Sequence, residues 1–408
     1  MKIAIVNNSD SGGGAANAGW HLHRGFIENG IDSRLVVANA TRGLEDKVFA
    51  LEWEPRFLDR LWGGISWRAG LTSFPNAQVK SLAYHEQIRD ADVVNVHLLH
   101  GGTYNLLAIR EMARHKPVLL TLHDMWNFTG HCAYSEGCEK WKTGCGSCPK
   151  PEVYPAIKRD GTSIEWRLKK WIFDSPYFSV VAISSWIESC ISISLLGNLK
   201  RFIIPNGIDL SRYDIDCKSE ARQAFEIPET SFVLTFVAAR LSDPRKGLDI
   251  LINAIQMFPE SERRNFHLLL IGDIGDQALD ELPCEYTSLG FVSDDNLKRR
   301  AYAAANWTAV PSREDNLPVI IQESQACGVP VIARAVGGIA DLIQSDVNGI
   351  LVETPTESLF EGLKKARSQK LEKSAVRDSV EQTYSRTMQA KRYLKVISDL
   401  HSTRAKSP

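Results

Sequence analysis

No apolar run in this chain approaches the ~20 residues needed to cross a bilayer as a helix. Charge bias is missing too: 48 Lys plus Arg stand against 49 Asp plus Glu, so nothing in the balance points to a nucleic-acid partner. The opening residues MKIAIVNNSD lack the apolar core and cleavage site of an export signal. A cytoplasmic protein is expected, with peripheral contact at the inner face of the membrane open. Sequons at Asn127 and Asn306 are then chance matches. Internal repeats and low-complexity tracts are absent as well. What remains is an ordinary globular composition, 44% apolar and 24% charged, in 408 residues, enough for two domains with a core each.

Short apolar runs alternate with helix-compatible segments from end to end. They fall at residues 3–6, 35–38, 93–96, 118–122, 180–183 and 202–204, then at 233–238, 268–271, 288–292, 308–310, 331–333 and 350–352. Continuous Val, Ile and Leu without polar alternation is the pattern of strands buried on both faces. The prediction is α/β, with two doubly wound, Rossmann-like domains. The turn at Pro205-Asn206-Gly207 sets the boundary, giving domains at 1–205 and 206–382 and a closing helical segment at 383–408.

Several strand ends carry residues suited to a polar ligand. The run at 308–310 leads into Ser312-Arg313-Glu314-Asp315-Asn316-Leu317-Pro318, then a helix-length segment containing Glu323 and closing at Cys327-Gly328. Pro318 suits a first helical turn and Gly328 a left-handed cap. The backbone N–H groups of Asn316 and Leu317 and the carboxylates of Asp315 and Glu323 could hold a polar ligand, or the acids could merely favour the helix dipole. Arg240 and Lys246 follow the run at 233–238 and suit a diphosphate, although such cations are also common on solvated loops. Gly12-Gly13-Gly14 follows the first strand, where glycine lets backbone approach a phosphate. Its spacing is not the dinucleotide fingerprint, and no acid ends a clear second strand, so a nicotinamide cofactor is discounted. His123 ends the strand at 118–122 beside Asp124, as a ligand group or as a buried ring bonded to a carbonyl.

Cys132, Cys138, Cys145 and Cys148 fall within seventeen residues as C-x5-C-x6-C-x2-C. In a reducing compartment such a cluster is a candidate structural zinc site, with free or reversibly oxidised thiols as the alternative. Residues 53–71 and 166–173 mix tryptophan with Arg and Lys. The tryptophans are expected to pack in the core with the cations solvated; an interfacial membrane segment is the other reading.

The stretch 309–338, AVPSREDNLPVIIQESQACGVPVIARAVGG, resembles the nucleotide-sugar site of retaining glycosyltransferases of family four, which have the GT-B architecture of two Rossmann-like domains facing across a cleft. Their two acids are separated by seven residues, as Asp315 and Glu323 are, with Asp in place of the usual first Glu. The motif HDMWNFTGHCAYSEGCEKWKTGCGSCP, from His123 onward, resembles a subgroup that includes colanic-acid-type exopolysaccharide transferases. The resemblance implies a nucleoside-diphosphate sugar donor, a glycan or lipid-linked acceptor bound by the first domain, and a closing helix that crosses back to it. It places Gly13, Gly14, Arg240 and Lys246 at the diphosphate. It also places Glu323 at the ribose, and Asp315, Asn316, Leu317 and His123 at the sugar. No cofactor is required for the transfer on this reading. A nucleotide-sugar 2-epimerase and a non-catalytic sugar-nucleotide-binding subunit share the architecture and stand as rivals.

Overall fold

The computed structural model describes the chain except residues 44–45, 52–56, 75–79, 101–103, 276–281, 354 and 405–408. It divides into two compact units, Met1–Gly207 with Arg386–Pro408, and Ile208–Ser385. Trp53 and Arg56 of the basic aromatic segment lie outside the described residues.

The first unit holds a seven-stranded sheet in the order β3-β2-β1-β4-β5-β6-β7. Its strands are β1 (Lys2–Ser9), β2 (Asp32–Asn39), β3 (Val48–Ala50), β4 (Val93–Val96), β5 (Val118–Leu122), β6 (Phe178–Ala182) and β7 (Lys200–Ile203). Every pairing is parallel. β4, β5 and β6 are buried at every residue, Asn95, Thr121 and Ser179 included, as strands covered on both faces are, whereas edge strand β7 is half exposed. Alternate side chains of β1 enter two cores: Ala4 and Val6 join one face, Ile3 and Ile5 the other.

The second unit holds a six-stranded parallel sheet, β10-β9-β8-β11-β12-β13. Its strands are β8 (Phe232–Arg240), β9 (Phe266–Asp273), β10 (Glu285–Ser288), β11 (Trp307–Val310), β12 (Val331–Arg334) and β13 (Gly349–Val352). In each sheet the chain winds outward in both directions from one strand. The crevice at such a reversal lies between β1 and β4 in the first unit and between β8 and β11 in the second, beyond their carboxyl ends.

The closing helix Arg386–Arg404 belongs to the first unit. It packs on the helix Gly14–Glu28, where a Cβ at Gly25 would stand 2.7 Å from the Arg386 carbonyl oxygen. Tyr393 meets Phe26 edge-on and places its hydroxyl 2.9 Å from Thr121 Oγ1, which in turn donates to Asn95 Oδ1. The far end of the chain thereby reaches β4 and β5.

Candidate functional site

In the second unit the strand-end loops converge on a buried carboxylate. Asp315 is 5% exposed, and Lys246 Nζ donates to its Oδ2 at 2.6 Å. Arg245 stands 3.6 Å from Oδ1 and donates to the Glu314 carbonyl oxygen at 3.1 Å. The main chain is built around this contact. Gly247, in the left-handed region at φ 76°, sits where a Cβ would come within 2.3 Å of the Pro311 carbonyl oxygen. At Gly337 (φ 57°) a Cβ would overlap the Asp315 carbonyl oxygen at 1.7 Å. Both positions need glycine for conformation and for space. Burial alone would raise the Asp315 carboxyl. The charges of Lys246 and Arg245, the Lys246 hydrogen bond and the Asn316 N–H outweigh it and hold the group below its ordinary value.

Two contacts here are not visible in the sequence. Lys246, expected at a diphosphate, is also half of an ion pair, because the close approach at Gly247 brings its loop against the loop that follows β11. The Asn316 N–H, expected to face a ligand, donates instead to Asp315 Oδ1 at 3.1 Å. Between the adjacent acids, Asp315 holds the lysine while Glu314 is half-buried. Arg240 is exposed at the end of β8, and Leu317 is buried. Among the described residues, no hydrogen bond or ion pair joins Arg240 to Lys246 or Asp315 to Glu323.

Glu323 lies on the helix Val319–Ala326, capped by Pro318 and closed by left-handed Gly328. Its Oε1 accepts from Tyr213 Oη at 2.9 Å and Lys298 Nζ at 3.3 Å, and its Oε2 from Tyr302 Oη at 2.9 Å. Burial would lower the Lys298 ammonium, but Glu323 and Asp295 outweigh it and raise it. Burial, then the Glu323 charge, push the Tyr302 hydroxyl well up. Sequence does not single out Tyr213, Lys298 or Tyr302. The one signal is the i, i+4 spacing of Lys298 and Tyr302, which puts both on one helix face.

In the first unit, Gly13 and Gly14 open the helix Gly14–Glu28 with no side chain capping its N–H groups. A Cβ at Gly12, Gly13 or Gly14 would meet nothing within 4 Å, so the turn is open to a ligand. His123, just past β5, is half-buried, and its Nε2 lies 2.9 Å from Nδ1 of His97, just past β4. Burial pushes the His123 imidazole down to about 4. His100 Nε2 pairs with Asp124 Oδ2 at 2.7 Å, and Asp124 Oδ1 accepts the Trp126 N–H at 2.9 Å. His97 and His100 are not expected from sequence, although both follow an apolar run as His123 does.

Cys132, Cys138, Cys145 and Cys148 line one small cavity with His131. Cys145 Sγ accepts the Gly130 N–H at 3.2 Å, and Cys148 Sγ lies 3.3 Å from His131 Nε2. Among the described residues, however, no three His, Cys, Asp or Glu side chains are placed to hold one metal ion. All four cysteines are free. As arranged, the donor atoms do not converge on one point as the zinc that the spacing suggests would require. Beneath this loop Lys169 is fully buried and donates to the Trp126 and Thr129 carbonyl oxygens at 2.6 and 3.1 Å.

The tryptophans of the basic segments divide. Trp166 is buried and donates to the Trp141 carbonyl oxygen at 3.0 Å, as expected of a core residue. On the helix Phe57–Arg68, Phe57 is 78% exposed and Trp67 52%, and Trp171 is 51% exposed on the helix Thr162–Phe173. These rings stay at the surface instead of the core, where Lys158 lies over the Trp67 ring at 4.4 Å and Arg110 over the Trp171 ring at 4.2 Å. No helix among the described residues is long and apolar enough to cross a membrane.

Comparison with known proteins places this geometry. A family model described as Glycosyltransferase Family 4 matches residues 12–212, and one described as Glycosyl transferases group 1 matches residues 231–368. The chain is 26% identical over 368 residues to WcaC of Escherichia coli (strain K12), whose name assigns it as a putative colanic acid biosynthesis glycosyl transferase; 84% of this chain and 85% of that protein are covered. Among solved structures, sucrose-phosphate synthase from Thermosynechococcus elongatus superposes with a TM-score of 0.70 at 17% identity, covering 99% of this chain and 100% of that one. Anabaena Alr3699/HepE in complex with UDP gives 0.68 at 18%, covering 98% and 100%. These two likenesses show the shared fold, the GT-B architecture.

Proposed function

Because the chain belongs to the glycosyltransferases of family four and group 1, we propose that it moves a sugar from a nucleoside-diphosphate donor to a glycan or lipid-linked acceptor, with retention at the anomeric carbon, in exopolysaccharide synthesis. The observation that carries this reading is the buried Lys246–Asp315 pair at the β8/β11 reversal. An ammonium has three donors, and Asp315 takes one, so two remain for phosphate oxygens. Lys246 and Arg240 would offset the charge that collects on the departing diphosphate. Asp315 would meet a sugar hydroxyl while holding the lysine in place. Glu323 Oε2, with one donor from Tyr302, keeps capacity to accept from a ribose hydroxyl.

The test is a thermal-shift panel of UDP-, GDP- and ADP-sugars, followed by product analysis with each stabilising donor. Transfer to an acceptor supports the proposal. Conversion of the donor without acceptor would show the epimerase, and binding without turnover a non-catalytic subunit.

We further propose that the protein works in the cytoplasm, with the helix that exposes Phe57, Leu61, Trp62, Ile65 and Trp67 lying against the inner surface of an anionic membrane. Aromatic side chains exposed beside Lys158 and Arg68 suit a headgroup interface. Co-sedimentation with vesicles containing phosphatidylglycerol is expected, and Trp62→Ser with Trp67→Ser should abolish it. Equal sedimentation of the double variant overturns the assignment.

A further inference from the structure

The pairing of His97 with His123 has a chemical consequence for the candidate site. The two rings meet at 2.9 Å between His97 Nδ1 and His123 Nε2, with ring centroids 5.1 Å apart and planes within 27° of each other. A nitrogen–nitrogen contact that short between nearly parallel planes brings the rings together edge to edge, so one proton lies between the two nitrogens. His97 has little freedom to do otherwise. Its backbone N–H donates to the Val6 carbonyl oxygen at 2.9 Å, and its ring packs beside Gly19 of the helix Gly14–Glu28. A Cβ at Gly19 would stand 2.6 Å from Asn7 Nδ2 and 3.7 Å from His97 Nδ1, so that position leaves room for these two side chains.

The direction of the shared hydrogen bond follows from the other edge of His97. Its Nε2 is buried and has no hydrogen-bond partner. If His123 donated, neutral His97 would have to carry its proton on Nε2, leaving an N–H buried with no acceptor. Orphaned buried N–H groups are rarer than buried acceptors lacking a donor. If His97 donates from Nδ1, its Nε2 is a bare lone pair and the more costly orphan is avoided. Burial favours the neutral form of both rings, in keeping with one shared proton. The titratable groups nearest the pair, His100 and Asp124, are bonded to each other at 2.7 Å.

We propose that His97 is a positioning residue which fixes His123 as the tautomer protonated on Nδ1. With Nε2 accepting from His97 and Nδ1 already protonated, His123 has no lone pair left with which to take a proton from a ligand. The effect on rate rests on the transfer reading above; the tautomer does not.

The experiment is ¹⁵N NMR of the full chain labelled at histidine, with His123 identified by loss of its signals in His123→Asn. The expected wild-type result is a protonated Nδ1 and an unprotonated Nε2 on His123, with that pattern lost in His97→Leu. In transfer assays His97→Leu should lower kcat by up to about a hundredfold with little change in donor KM. His97→Gln, whose amide N–H can donate to the same nitrogen, should recover most of it. A wild-type His123 protonated on Nε2 overturns the proposal, as does His97→Leu with normal kcat. If the wild-type protein transfers no sugar with any donor, the functional reading fails while the NMR result still decides the tautomer.

Discussion

Beyond β4 and β5 the first unit buries a pair of neutral imidazoles beside the His100–Asp124 contact; beyond β8 and β11 the second unit sets opposite full charges against each other. His97 and His123 satisfy each other with one shared proton. Lys246 with Asp315, and Lys298 with Glu323, do so with opposite full charges. Nine of the ten histidines lie in the first unit, and His267 alone in the second. A neutral pair is sensitive to which atom holds a proton, whereas an ion pair is sensitive to loss of either partner. The two clusters should therefore fail under different insults.

The largest expected effect is that of Lys246→Ala. It leaves Asp315 buried with Arg245 at 3.6 Å as the nearest cation, and breaking a buried pair this way costs about 3–5 kcal/mol of stability. Catalysis should fall by about two to three decades beyond that loss, measured on folded protein at low temperature. Near-normal turnover would remove Lys246 from the diphosphate. Asp315→Asn in the same chain should recover part of the stability but none of the rate.

Acid should separate the units next. Burial holds His23 and His123 down at about 4 and His97 well below its ordinary value. Below about pH 6.5 the unfolded chain binds protons that these rings refuse, so stability falls as pH drops toward 4. Each ring costs about 1.4 kcal/mol for every pH unit crossed in that window. Asp315 and Asp295 are lowered instead, so their contribution is fully present above about pH 4 and is lost only below it. Hydrogen exchange at pH 4.5 should show first-unit strands losing protection while β8, β9 and β11 keep theirs. Simultaneous loss would break the comparison.

A smaller effect is expected from Tyr302→Phe, which removes one hydrogen bond to a buried carboxylate, worth about 1.5–3 kcal/mol. If Glu323 holds ribose, nucleoside-diphosphate affinity should fall with it, and calorimetric titration measures that. The smallest effect concerns the thiols. Burial pushes Cys132 up to about 12 and Cys145 to about 11, so both should react slowly with a disulfide reagent at pH 8 while exposed Cys217 reacts at once. Protein purified without chelator should carry well under one zinc per chain. Stoichiometric zinc, released as the four cysteines become reactive, would restore the metal reading.

Both sheets are legible in sequence because their central strands are largely apolar runs without polar alternation. Edge strands are harder. β3 is only three residues long, and its run Val48-Phe49-Ala50 is too brief to stand out. β10 lies earlier than the run at 288–292 suggests, since the apolar residues after Ser288 form a turn at Gly290 (φ 64°) that leaves Phe291 66% exposed. At the site, motif residues such as Asp315 and His123 are visible because they sit at strand ends. Their partners are not, because pairing is set by the fold: Tyr213 reaches Glu323 across 110 residues of chain, and Lys246 reaches Asp315 across 69. The exposed tryptophans depart from expectation because composition cannot tell a ring in the core from one covered by a surface cation.

The contact of Tyr393 with Thr121 also bears on synthesis. The first unit lacks its closing helix until the ribosome has added all of the second, which is continuous in sequence. At 5–20 residues per second the interval from residue 207 to residue 404 is roughly 10–40 s, long compared with the folding time of a domain. During that interval the apolar face formed by Phe26, Val37 and Leu119 has no Tyr393 or Ile397 to cover it. The nascent chain thus completes its later domain first, and a chaperone acting on the earlier one would meet it in that window.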